Sequence, residues 1–290
     1  MKKSTKSILF YFSTLLFLVA SYLIVIFALG YKYDFIKDRF IKTGSFEVRA
    51  NIDAEIYINE ELAGDTSFLG RAFSKGRLLP RTYSIRVQND EYQPWEKLIT
   101  VDAGFFTSFP KVVLLPKEFT EEFVASSSFK TVKTVEFDTS KRQAIVGDGK
   151  QIESISLENG QKTLITRKTD EGNQEEKINK SPDNIKVATF KGGEVWVEWL
   201  NNADSQPYKV AGDKVLVTRF SQKINDIQWY KDSAHLIIDV GGTLKLIEID
   251  DRDGINIFDI VTVSGPFLYD KSTDSIFKFN GEELAKISLK

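Results

Sequence analysis

The chemistry open to this chain is narrowed by what its side chains lack. It contains one histidine, His235, and no cysteine, against 41 acidic residues in 290. Structural zinc, iron–sulfur clusters, thiol nucleophiles and histidine-centred triads all draw on residue types that are absent or present once. Carboxylates alone can still do work, because glycoside hydrolysis needs only two Asp or Glu about 5 to 9.5 Å apart. A carboxylate-dependent carbohydrate- or peptidoglycan-active protein therefore stands as an alternative function. No spacing singles out such a pair, so no catalytic, cofactor-binding or metal-ligating residue is assigned and no cofactor is expected.

The remaining candidates have simpler readings. His235 sits in Ala234-His235-Leu236-Ile237-Ile238, a strand after a turn, with no Ser, Cys or second His in a recognisable setting, so a structural place is expected. Asp250-Asp251-Arg252-Asp253-Gly254 has the oxygen density of a calcium loop. Counting back from its glycine, however, puts Ile249 at the first ligand position and Ile260 where the bidentate Glu belongs, so it reads as a solvated turn. Trp196 and Trp199, three apart on a strand, face opposite sides and read as packing rather than as platforms for a sugar ring. The charge-rich stretch from Arg167 to Asp183 reads as a loop.

The elements that would position these residues begin with a membrane segment. Ile8 to Gly30 carries no charged side chain in a chain that is 28% charged, and about 20 apolar residues suffice to span a bilayer core. Lys2, Lys3 and Lys6 precede it, and Tyr31, Tyr33 and Phe35 follow at the depth of the interfacial aromatic belt. The denser, acid-free basic side is the N-terminal one, which predicts residues 1–7 in the cytoplasm, 8–30 across the membrane and the rest outside. Ala28-Leu29-Gly30 would also suit a signal peptidase, but the apolar run exceeds the 7 to 15 residues of a signal-peptide core, so an uncleaved signal anchor is expected. Residues 31–41 read as a charged juxtamembrane linker able to extend the helix. The absence of cysteine excludes a disulfide framework without fixing the compartment. A net charge of -2 gives no basis for nucleic-acid binding.

From residue 42 the pattern changes to period two. Phe46, Val48 and Ala50, then Ile56 and Ile58, then Tyr83, Ile85 and Val87 alternate with polar residues, and short strands fit Lys97 to Val101 and Lys111 to Leu115. Glycine and proline punctuate the set, so 42–117 is expected to form a small antiparallel β-sandwich. The order Lys42-Thr43-Gly44, Ala54 to Asn59, Gly64-Asp65-Thr66, Leu79-Pro80, Tyr83 to Val87 and Glu91-Tyr92-Gln93-Pro94-Trp95 resembles the PEGA domain. Arg81 and Glu91 stand where that family has turn glycines. The resemblance implies a non-catalytic β-module outside the cytoplasmic membrane of a bacterium or archaeon, with a binding or spacing role and Trp95 in its core.

Residues 118–290 carry an internal repeat. Aligning Ser140, Asp183, Asp232 and Ser272 gives spacings of 43, 49 and 40, each followed 9 or 10 residues later by Gly149, Gly193, Gly242 or Gly281. Periods of about 40 to 50 with a hairpin per unit mark propeller blades. Trp229-Tyr230-Lys231-Asp232-Ser233 and Ser181-Pro182-Asp183 are similar to the Trp-Ser-Pro-Asp-Gly repeat of TolB-like and WD40-like propellers. The fold class expected is mainly β: an N-terminal transmembrane helix, a sandwich, then propeller-like repeats, with a second sandwich as the alternative. The function expected is a non-enzymatic envelope scaffold or binding protein. Its partners would be the bilayer through residues 8–30 and cell-wall polymer or envelope proteins; a sensor or secretion-associated peptide-binding propeller is a further option.

Overall fold

A computed structural model describes residues 3–165 and 179–290. The chain divides into two compact units: Met1–Val87 with Leu98–Val112, and Gln88–Lys97 with Val113–Lys290.

The first unit starts with helix α1 (Lys3–Ala28). Its Lys6–Ala28 portion is long and apolar enough to cross a membrane and is not buried against the rest of the protein. Gly30, at φ +81°, stops the helix and donates to the Phe27 carbonyl. The chain does not continue as helix but enters a hairpin, β1 (Tyr31–Asp34) and β2 (Arg39–Lys42). This corrects the expectation of a helical extension. Two contacts explain it: Thr43 donates through both N and Oγ1 to the Gly30 carbonyl (2.8 and 2.7 Å), and Asp34 is buried beside Arg81 (3.6 Å).

Seven strands follow: β3 (Gly44–Ala50), β4 (Glu55–Ile58), β5 (Glu61–Asp65), β6 (Ala72–Leu78), β7 (Arg81–Gln88), β8 (Trp95–Val101) and β9 (Phe106–Val112); Gln88 of β7 and Trp95 to Lys97 of β8 count with the second unit. They form sheets ordered β6-β3-β9 and β5-β4-β7-β8. The alternation seen in the sequence is the burial pattern: Phe46, Val48, Ile56, Ile85, Val87, Ile99 and Val101 fill the interior. Of the ladders described here, β3–β9 is parallel. Close approach explains Gly44 at its start, since a Cβ there would lie 2.3 Å from the Asp102 carbonyl oxygen. The strand expected at Lys111 to Leu115 is displaced: β9 ends at Val112, and Val113, Leu114 and Leu115 are buried outside any strand. Neither Arg81 nor Glu91 adopts positive φ, so the missing turn glycines cost nothing in backbone strain.

The second unit holds four antiparallel sheets. In chain order they are β11 (Thr134–Asp138) to β14 (Lys162–Ile165) through β12 (Gln143–Gly147) and β13 (Ile152–Ser156); β15 (Lys186–Lys191), β16 (Glu194–Trp199) and β17 (Lys214–Arg219); and β18 (Ile224–Trp229), β19 (His235–Val240), β20 (Thr243–Glu248) and β21 (Ile257–Thr262). The fourth is β22 (Phe267–Asp270), β23 (Ser275–Asn280) and β24 (Glu283–Ser288), completed on its outer edge by β10 (Glu121–Ser126), which precedes all the others. Ion pairs Lys278–Glu121 (2.5 Å) and Lys286–Glu122 (3.1 Å) fasten β10 there.

Each aligned repeat residue lies three positions before a strand, at Gln143, Lys186, His235 and Ser275. Apolar side chains pack between successive sheets. Val197, Trp199 and Val217 meet Ile227, Trp229 and Leu236 between the second and third. Ala144, Val146 and Ile155 meet Leu268, Phe277 and Phe279 between the first and fourth. Sheet-by-sheet packing with a fourth blade built from both ends of the repeat region is propeller-like and unlike a second sandwich.

Candidate functional site

The repeat turns that precede β12, β15, β19 and β23 come together as a chain of contacts. Asp183 of the second blade donates through its backbone N to Ser233 Oγ of the third (3.0 Å). Lys231 Nζ of the third reaches Asp274 Oδ2 of the fourth (2.6 Å), and Asp270 Oδ2 of the fourth accepts from Arg142 of the first (2.7 Å). The turns fall into two kinds. In the first and fourth blades Asp138 and Asp270 accept from the N and Oγ of Ser140 and Ser272, two residues on. In the second and third, Asp183 and Asp232 accept from Ile185 and Ala234 N–H and pair with a side chain three residues on: Lys186 Nζ at 2.8 Å and His235 Nδ1 at 2.7 Å. Asn184 and Ser233 take positive φ (61° in both) inside these turns.

This gives His235 a place. It is the first residue of β19, is buried, and closes its turn by reaching back to Asp232 as Lys186 does to Asp183. Next to it Tyr230 and Tyr269 lie with ring centroids 5.3 Å apart, and both phenols donate to Asp274 (3.3 and 2.8 Å). Burial first, then the Asp274 charge, drives the Tyr230 phenol far above its ordinary value, and burial does the same for Tyr269. Both remain neutral donors at any working pH. Asp274 escaped sequence reasoning because it lies two residues past the aligned Ser272; the signal available was a tyrosine leading each of the two neighbouring turns.

The carboxylates of these turns are engaged by the protein itself. Hydrogen bonding to Ser140 and Lys141 holds Asp138 below the ordinary carboxylate value. Burial raises Asp183 and Asp270, and hydrogen bonds overcome it, from Lys186 and Ser181 in one case and from Ser272 and Thr273 in the other, leaving both lowered. Asp148, Glu153, Glu194 and Asp250 are likewise lowered. A general acid for glycoside hydrolysis needs the opposite shift.

A second polar cluster lies in the same unit. Lys97 Nζ, with its side chain 1% exposed, meets Glu248 Oε1 at 2.8 Å and donates to the Asp250 carbonyl at 2.8 Å. Trp95 Nε1 donates to Glu248 Oε2 (2.9 Å), and Asn256 donates to Glu248 Oε1 through its backbone and side chain. Asp250 also binds Arg252 (2.6 Å), and Asp251 faces Lys209 (3.6 Å). Asp250 to Gly254 thus does turn between β20 and β21, but Asp250 is not the solvated residue expected, because Lys97 and Arg252 engage its carboxylate. Trp95 is buried, with its indole N–H committed to blade three rather than held only by a sandwich core. The sequence did carry a sign of this: Lys97 lies on the buried face of a strand whose Trp95, Ile99 and Val101 are apolar.

Trp196 and Trp199 take opposite faces of β16 as expected. Trp199 is buried between blades; Trp196 is half-buried, donates to Glu194 (3.0 Å) and lies under Lys214. Most of the stretch from Arg167 to Asp183 lies outside the described residues.

The chain is thus a β protein with one apolar helix, a sandwich and a propeller-like unit. No protein family matches its sequence, and no curated protein is similar to it. It is similar to the extracellular domain of a hybrid two-component system from B. thetaiotaomicron at 12% identity and a TM-score of 0.25, over 89% of this chain and 31% of that one. It is similar to the C-terminal WD40 domain of Sif2 at 10% identity and a TM-score of 0.27, over 79% and 73%. TolB from Acinetobacter baumannii gives 13% identity and a TM-score of 0.24, over 84% and 63%. The chain spans about a third of the first of these domains. Likeness at this level carries no inference about function.

Proposed function

We propose that the protein is a membrane-anchored, extracytoplasmic, non-enzymatic binding or scaffold protein of a bacterial envelope, with a PEGA-like sandwich followed by a propeller-like domain that takes cell-wall polymer or an envelope protein. The observation that carries this reading is helix α1, apolar and exposed over Lys6–Ala28 and joined to two β-rich regions. A helix apolar all round is otherwise found buried in a protein core. The chain of turns supports a binding reading: Asp138, Asp183, Asp232 and Asp270 are engaged by nearby backbone and side-chain donors.

The test uses the full chain with a C-terminal epitope tag. External protease on intact cells removes the tag; protection until the cells are permeabilised overturns the orientation. Incubated with insoluble cell-wall polymer, the protein is expected to co-sediment without solubilising it. Release of soluble fragments would establish the carboxylate-dependent alternative instead.

A further inference from the structure

Within the first unit, the end of the sandwich that meets the helix carries an exposed apolar rim built from segments far apart in sequence. Gly30, where the helix ends, binds Thr43; the Thr43 carbonyl accepts from Gly104 N (3.0 Å); and Ser45 N donates to the Phe105 carbonyl (3.0 Å). The β8–β9 turn is thereby fixed beside the helix exit with Phe105 69% exposed and Phe106 also exposed. The β1–β2 hairpin is held at the same end by Asp34–Arg81, since Gly44 pairs with Leu78 there. Its tip presents Phe35 and Ile36, 88% and 81% exposed. Tyr33 packs edge-on against Phe35 and Phe40 behind that tip.

The same hairpin carries exposed Lys32, Lys37, Arg39 and Lys42, while Asp34 is occupied by Arg81 and Asp38 by Tyr33. Aromatic tips on a hairpin with exposed cations, joined to an apolar helix, match the headgroup zone of a bilayer bearing anionic lipid. We propose that this end of the sandwich is a membrane-seating collar: the hairpin tip and the Phe105–Phe106 turn dip into the headgroup layer around α1 and hold the module against the membrane. The inference rests on the anchor reading above.

The cysteine-free chain permits a direct test. Single-cysteine variants L18C, I36C, F105C and L69C of the full chain are spin-labelled and reconstituted into vesicles of mixed zwitterionic and anionic phospholipid. Collision with lipid-soluble oxygen is compared with collision with a water-soluble nickel chelate. Leu69 serves as the wet reference: it is exposed at the opposite end of β3, where Arg49 pairs with Ala72, about 20 Å away at roughly 3.3 Å per residue. L18C is expected deep in the lipid, and I36C and F105C at headgroup depth with nickel collisions several-fold below those of L69C. If L18C is deep but either collar label is as wet as L69C, the collar is overturned and the anchor stands. If L18C itself is in water, the anchor reading fails and the collar with it.

Discussion

Lys97 shows how much one residue can decide. A lysine in an apolar period-two stripe is visible in the sequence, but its partners, Glu248 and Asp250, lie more than 150 positions away, and no local pattern points to them. The pair is nearly excluded from water, so removing one charge strands the other, at a cost of about 3–5 kcal/mol. K97A is expected to lower the melting temperature of the second unit sharply in differential scanning calorimetry. E248Q, which leaves the lysine stem in place and removes its counter-charge, should cost about as much; a much smaller loss would show that packing of the lysine stem, and not its charge, is what matters. The turn aspartates give a pH prediction at the same scale. Asp183 and Asp270 titrate lower folded than in an unfolded chain, where about 3.9 is ordinary. Their contribution is therefore fully present above the unfolded value and lost as pH falls through the folded one. Thermal stability should hold steady at neutral pH and decline below about pH 4. D183N and D270N should each lower stability by about 1–3 kcal/mol at neutral pH and flatten the acid decline, read by circular dichroism.

At the scale of elements, the strands of the sandwich core and the four repeat hairpins are legible because alternation and turn chemistry act over a few residues. Phe46-x-Val48 reports a half-buried strand directly, and the aligned Ser140, Asp183, Asp232 and Ser272, each three residues before a strand, report the turn that precedes it. Elements whose cause is distant are not legible. The β1–β2 hairpin exists because Thr43 returns to Gly30 and Asp34 meets Arg81, so a charged stretch that reads as a linker able to extend the helix forms strands instead. β5 and β6 lie at the outer positions of their sheets and have little alternation to report. β10 is likewise an ordinary short strand until its partner is known. Deleting Glu121–Ser126 leaves β24 as an unpaired edge, which invites association with other chains. The deletion is expected to lower the unfolding midpoint, speed amide exchange across β24 and increase aggregation. Unchanged exchange in β24 would show that the fourth blade does not depend on it.

At the scale of the whole molecule, composition narrows the chemistry without naming one. Single occurrence of histidine is matched by a turn-closing role for His235, and the acids that remain are spent largely on turns and ion pairs. The anchor leads to a fractionation prediction: the full chain should stay in the membrane pellet after alkaline carbonate extraction, whereas a chain beginning at Tyr31 should be released by that treatment. A full chain that washes off with carbonate would refute a spanning helix and leave surface attachment alone.

The pairing of β10 with β24 also sets a schedule. Glu122 and Lys286, which fasten the two strands, are separated by 164 positions, so at about 5–20 residues per second the ribosome needs roughly 10–30 s to make the second after the first. Throughout that interval β10 has been synthesised and its partner has not. Closure of the fourth blade is therefore a late, long-range event, of the kind that slows folding. A chain interrupted anywhere before Glu283 therefore displays the free edge of β10, and only one that has reached β24 hides it.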